Sequence, residues 1–152
     1  MFFGDWLQRR GMLSPSRVAL VDAVNKNQRI TYEEWNQRAN RLANFMYHGL
    51  EIRKSDRVSV YAMNRVEYLD ALFACNKLGA ILHVVNWRLQ TRELEGIISD
   101  AAPRAVFYSQ EFSDQVLTLR PRLNAVAHWI ALDHAPEEGD ALWPAERHKY
   151  PP

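Results

Sequence analysis

From residue 57 to residue 132 the chain alternates between short apolar runs and helical segments, and this alternation constrains its fold more than any other feature. Val58-Ser59-Val60-Tyr61, Ile81-Leu82-His83-Val84-Val85, Ala105-Val106-Phe107-Tyr108 and Trp129-Ile130-Ala131-Leu132 have the length and apolar content of strands. Asn64, with Glu67 three residues on, opens a helix over 64–78 that carries Val66, Leu69, Leu72, Phe73 and Cys75 and stops at Gly79. Thr91 caps a second helix with Glu93 in its first turn and Leu94, Ile98 and Ala101 on one face; a weaker third, with Val116, Leu117 and Leu119, stops near Pro121. Strand and helix in strict alternation build crossovers between parallel neighbours. The expected fold is α/β: a parallel sheet with helices on its faces, strands 58–61, 81–85 and 105–108 lying parallel. The helix over 64–78 is apolar on most of its circumference, so it is expected to be the most buried, with Leu72 and Phe73 at its centre.

Ahead of this region, Val18-Ala19-Leu20-Val21 and Arg29-Ile30-Thr31-Tyr32 flank the turn residues Asn25-Lys26-Asn27 and predict a short β-hairpin. Thr31 and Glu34 form a capping-box signature, after which Trp35, Ala39, Leu42, Ala43 and Met46 recur at spacings of three and four. A helix over about 32–48 follows, with Gly49 expected in the left-handed conformation that ends helices. Residues 133–152 hold Pro136, Pro144, Pro151 and Pro152 among acidic side chains and predict a Pro-rich acidic linker beyond an α/β unit over 1–132.

At 152 residues the chain is long enough to bury a core without a staple. Nineteen basic and eighteen acidic side chains leave a formal charge of +1, which argues against nucleic acid as a partner. Cys75 is the only cysteine, and no apolar run reaches the length of a transmembrane segment. The opening ten residues have the reverse of a secretory signal's charge order, so a cytoplasmic location is expected.

Chemistry-bearing constellations are scarce. The six glycines, at 4, 11, 49, 79, 96 and 139, are isolated, so no GxGxxG or GxxxxGK[ST] loop exists to cradle a phosphate. The histidines at 48, 83, 128, 134 and 148 include no pair at i,i+4; His134 with Glu137 and Glu138 is the only local cluster and reads as a solvated loop, so no metal site is expected. Cys75 reads as a buried, inert thiol, Glu67 and Asp70 as hydrated charges on a helix rim, and His83 as a buried histidine with a backbone partner. Trp87 and Arg88 follow the 81–85 strand at its carboxyl end, where ligands bind in open α/β sheets. On these grounds no catalytic, cofactor-binding or metal-ligating residue is assigned.

Taken in order, Ile30-Thr31-Tyr32-Glu33-Glu34-Trp35-Asn36, Arg41-Leu42-Ala43, Ser55-Asp56-Arg57-Val58, Asn64-Arg65-Val66-Glu67-Tyr68, Ala71-Leu72-Phe73-Ala74-Cys75-Asn76-Lys77-Leu78-Gly79-Ala80 and Asn86-Trp87-Arg88-Leu89 resemble the N-terminal portion of the AMP-forming acyl-CoA synthetases, in the adenylate-forming ligase superfamily. The likeness runs from about residue 17 to 112. Ser55 stands where the family usually has glycine, and His83-Val84-Val85 replaces a stretch that often carries proline. The resemblance implies a fatty or aromatic carboxylic acid as substrate, with ATP, Mg²⁺ and CoA as cofactors of an intact enzyme. It also implies that the phosphate loop and catalytic lysine lie beyond Pro152, so that this segment is scaffold, inactive and without bound cofactor. Homo-oligomerisation is left open, and the competing reading is a stand-alone α/β interaction or oligomerisation module.

Overall fold

A computed structural model describes residues 4–23, 25–133, 141–146 and 148–152. Its helices are α1 (Trp6–Leu13), α2 (Tyr32–His48), α3 (Val66–Leu78), α4 (Thr91–Ala101), α5 (Ser113–Leu119) and α6 (Trp143–Glu146). Its strands are β1 (Val18–Asp22), β2 (Gln28–Thr31), β3 (Arg57–Tyr61), β4 (Ile81–Val84), β5 (Ala105–Tyr108), β6 (His128–Ala131) and β7 (Ala141–Leu142). β1 and β2 form the expected antiparallel hairpin, with Lys26 and Asn27 at positive φ in its turn. The remaining strands form one parallel sheet in the order β4-β3-β5-β6-β7. The β3–β4 and β5–β6 pairings are made through helical connections, as the alternation requires: α3 joins β3 to β4, and α5 joins β5 to β6.

The two-residue period of the strands sends alternate side chains to two cores. Val58, Val60, Phe107, Ile130 and Leu132 face α2 and α3, packing with Leu42, Met46, Ala71, Ala74 and Cys75. Tyr61, Val106, Tyr108, Trp129 and Ala131 face the other way, onto Leu94 and Ile98 of α4 and Val116 and Leu119 of α5. A smaller cluster of Leu7, Ile30, Trp35, Ala39 and Val66 seats α1 and the hairpin against the start of α2. The short helix α1, which no sequence signal marked, is capped by Asp5, whose carboxylate accepts from the Gln8 N–H at 2.9 Å and also pairs with Lys77 of α3.

Several local expectations need correction. The capping box of α2 is present, the Thr31 N–H donating to Glu34 at 2.8 Å, and this interaction pulls the Glu34 pKa down. But Gly49 has φ −90°; the left-handed residue beyond the helix is Glu51, at φ 53°. Space, not conformation, favours glycine at 49, because a Cβ there would lie 2.8 Å from the Tyr150 hydroxyl and 3.0 Å from the Phe45 ring and carbonyl oxygen. Gly79 does end α3 in the left-handed conformation. The caps of α3 and α4 are Arg65 and Gln90, not Asn64 and Thr91, and the Gln90 N–H donates to Glu93 at 2.9 Å. Ser55 has φ 72°, which explains physically why glycine suits that position.

Helix α3 has, as expected, the largest buried share of the helices described along their whole length, with only Leu72 and Asn76 exposed along it, but Leu72 is not at its buried centre. It turns Ala71, Ala74 and Cys75 inward and leaves Leu72 41% exposed, whereas α2 buries Trp35, Leu42, Phe45 and Met46. Within the stretch read as a linker, Ala141–Leu142 pairs in parallel with β6, and the buried Trp143 stacks on Phe45 at 5.4 Å between ring centroids. His134, Glu137 and Glu138 lie outside the described residues.

Cys75 is buried as expected, and burial pushes its thiol pKa up to about 12. Labelling with a thiol reagent near pH 8 is therefore expected to be negligible in the native protein and complete in denaturant, since the thiolate is the reacting form. Rapid native labelling would contradict the burial.

Candidate functional site

Four parallel strands deliver four loops to one end of the sheet: Asn64-Arg65 after β3, Asn86-Trp87-Arg88 after β4, Ser109-Gln110 after β5 and Asp133 after β6. This carboxyl-end crevice is where the strand geometry allows several loops to face one ligand. Arg88 lies over the Trp87 ring, 4.3 Å from guanidinium to centroid, and its backbone N–H donates to the Asn86 side chain at 3.1 Å. Trp87, Arg88, Met63, Phe112 and Gln115 border a cavity of about 510 Å³. A second cavity of about 500 Å³ lies between the hairpin and α3, lined by Leu20, Val21, Arg65, Tyr68 and Leu69.

The loops are tied together by charge. Asp133 accepts from Arg65 at 2.6 Å and from the Gln110 backbone N–H at 3.0 Å, while Arg65 also donates to Glu67 at 3.0 Å. Behind them the Arg38 guanidinium grips Asp70 at 2.6 and 3.0 Å and approaches Glu67 at 3.6 Å. Glu67 and Asp70 are therefore not hydrated rim charges; the two arginines draw both inward, and Asp70 is only 1% exposed. Burial alone would lower the Arg38 pKa, but Asp70, helped by Glu67 and Asp22, overcomes it and raises it. Neither carboxylate is free to act as an acid or base.

His83 is half-buried, and its partner is a side chain, not the backbone: Nδ1 lies 2.8 Å from Ser59 Oγ. Burial, with Arg57 next and Asp100 opposing, pushes its pKa down. Ser59 is fully buried, so this pair presents no nucleophile to a substrate. Two polar groups missed by the sequence reading sit at the ends of the central strands: the Tyr61 hydroxyl and Ser109 Oγ are buried without a hydrogen-bond partner among the described residues. A polar residue at the last position of a parallel strand, as Tyr61 is, or just after it, as Ser109 is, is the signal that marks such groups.

The residues present do not fit Mg-ATP. A triphosphate needs convergent free amides and cations, yet three loop amides here already have partners: Gln110 N–H on Asp133, Arg88 N–H on Asn86 and Gln90 N–H on Glu93. Among the described residues, no group of three or more histidine, cysteine or acidic side chains gathers to hold a metal ion. What the crevice offers is a wall, aromatic and apolar beside Trp87 and Phe112 and cross-braced at Asp133.

The family model described as "AMP-binding enzyme" matches residues 7–152. The chain belongs to this AMP-binding enzyme family. It is 31% identical over 137 residues to a long-chain-fatty-acid–CoA ligase of Thermus thermophilus, covering 89% of this chain and 25% of that protein. To a feruloyl-CoA synthase of an Amycolatopsis species it is 32% identical over 116 residues, covering 76% of this chain and 23% of the relative. Among solved structures, an anthranilate CoA ligase in complex with anthranoyl-AMP matches with a TM-score of 0.89 at 25% identity, over 97% of this chain and 28% of that one. The inhibitor-bound N-terminal domain of a Mycobacterium tuberculosis protein, FACL13, matches with a TM-score of 0.86 at 28% identity, over 99% of this chain and 36% of that one. The chain thus spans about a quarter of the length of the curated relatives it matches. No helix among the described residues is long and apolar enough to cross a membrane.

Proposed function

We propose that the chain is the N-terminal segment of an AMP-forming acyl-CoA ligase of fatty-acid type, acting in the cytoplasm. In the reaction proposed for the intact polypeptide, a carboxylate oxygen attacks the α-phosphorus of Mg-ATP and pyrophosphate leaves. The CoA thiol then attacks the acyl carbon of the adenylate and AMP leaves. Residues 1–132 serve as scaffold and crevice wall, and 133–152 lead on toward the phosphate-binding loop. The observation that carries this reading is the family match over 7–152, on a fold shared with a ligase that holds an acyl-adenylate. The engaged loop amides support the corollary that these 152 residues hold no triphosphate by themselves.

Two measurements test it. Calorimetric titration of the 152-residue chain with Mg-ATP should show no binding in the micromolar range, and micromolar binding would overturn the scaffold role. The intact polypeptide should exchange labelled pyrophosphate into ATP only when a carboxylic acid is present, across a panel of fatty and aromatic acids. A folded polypeptide that exchanges with none of them is not a ligase.

A further inference from the structure

Helix α3 begins on a residue that cannot cap it. Arg65 is its N-cap, and the side chain makes no capping hydrogen bond. A serine, threonine, aspartate or asparagine there would accept from a free N–H of the first turn, whereas a guanidinium has no acceptor to offer. The side chain reaches across the carboxyl end of the sheet instead. Its Nη1 donates to Asp133 after β6 and its Nε to Glu67, while the other oxygen of Asp133 accepts from the Gln110 N–H after β5. Burial would lower the Arg65 pKa, but Glu67 and Asp133 overcome it and raise it. One arginine thus joins three of the four connections that reach this end of the sheet, and every member of the brace lies within these 152 residues. The Gln110 amide opens the helical turn Gln110–Phe112, and the Phe112 ring lies 4.3 Å from that of Tyr61, the last residue of β3. Phe112 also borders, with Met63 and Trp87, the cavity of about 510 Å³. What the brace holds in place is therefore that wall.

The two ends of the charge network differ in kind. Asp70 is 1% exposed, and its pairing with Arg38 ties α2 to α3. The Arg65 and Asp133 side chains are 22% and 25% exposed, and ion pairs in such contact with water contribute little to folding. An arginine that forgoes a cap for a weak pair breaks a local preference with no gain in stability, which is where a functional constraint is expected. We propose that Arg65 is a positioning residue for the ligase reaction, holding through Asp133 the connections after β3, β5 and β6 in the arrangement that receives substrate. This rests on the acyl-CoA ligase assignment proposed above. With the brace intact, substrate meets an ordered wall. Without it, binding must itself order the loops, and apparent affinity falls in proportion to the fraction of molecules in which the wall is assembled. The loss therefore falls on KM, and turnover at saturation is kept.

Arg65→Asn in the intact polypeptide separates position from stability, because asparagine gives α3 a preferred cap while removing the brace. Its urea midpoint is expected to equal or exceed the wild-type value. Pyrophosphate exchange by the same samples should show kcat within about twofold of wild type and KM, for the acid or for Mg-ATP, raised about tenfold, as when roughly one molecule in ten has the wall assembled. Asp133→Asn should raise KM to the same extent, and the double variant no further, since the two residues form one brace. It also decides alone, by the same readouts, if Arg65→Asn fails to fold. Wild-type KM in both single variants overturns the proposal. So does a midpoint that falls together with activity, since Arg65 is then only a stabilising contact, and so does a loss confined to kcat, since Arg65 then acts in the chemical step. A folded wild type that exchanges with no acid overturns the ligase assignment, and the role of Arg65 with it.

Discussion

Replacing Asp70 by alanine is expected to cost about 3 kcal/mol of folding stability, the low end of the roughly 3–5 kcal/mol seen when one member of a buried ion pair is removed. Asp70 is almost wholly buried on α3 and takes two donors of the Arg38 guanidinium from α2, so its loss leaves a partly buried cation without its main partner. The low end applies because Arg38 keeps some contact with solvent and has Glu67 at 3.6 Å as a poorer substitute. The loss should appear as a shift of the urea midpoint at constant slope. A double change, Arg38→Met with Asp70→Leu, should recover most of it, because well-packed apolar residues often replace a buried pair at no cost. If the single variant keeps the wild-type midpoint, the pair is not holding α2 to α3 as the geometry indicates.

The architecture was legible because the features that set it are local and periodic. The parallel order of β3, β4 and β5 follows from connections each holding a helix, and the hairpin and the α2 capping box are written in neighbouring residues. What was illegible depends on tertiary partners. Helix α3 is apolar on most of its circumference, so periodicity could not say which side is buried; the inward side proved to be the small one, Ala71, Ala74 and Cys75, where α2 comes close. Gly49 looked like a helix terminator, but the side chain that crowds it, Tyr150, is a hundred residues away in the chain.

The candidate site was legible only as a place. Trp87 and Arg88 lie at a strand's carboxyl end, which a sequence can show. The brace across that end joins Arg65, Gln110 and Asp133, three residues on three connections, and nothing in their spacing announces it. Glu67 and Asp70 show the same limit. At i,i+3 on a helix they look like hydrated surface charges, and only the arrival of Arg38 from α2 and Arg65 from the preceding loop turns them into a partly buried network in which Asp70 is the buried member.

The contrast between Phe107→Ala and Leu72→Ala tests the burial of the sheet against that of α3. Phe107 lies on β5, the central strand, fully buried between its neighbours and facing α2 and α3. Removing its ring takes away the transfer energy of a large apolar group and leaves a cavity that a close-packed sheet cannot collapse to fill, so the expected loss is about 3–5 kcal/mol. From the sequence Leu72 seemed the weightier residue, at the centre of the most apolar helix. With its side chain 41% exposed, however, it has little transfer energy to lose and leaves a gap that water can enter. Its truncation should cost about 1 kcal/mol or less. Denaturant midpoints of the two variants, measured on the 152-residue chain at equal slope, decide between the two orderings. A Leu72→Ala loss equal to that of Phe107→Ala would mean that α3 turns its leucine inward and that the alanine-lined packing of α2 on α3 is wrong.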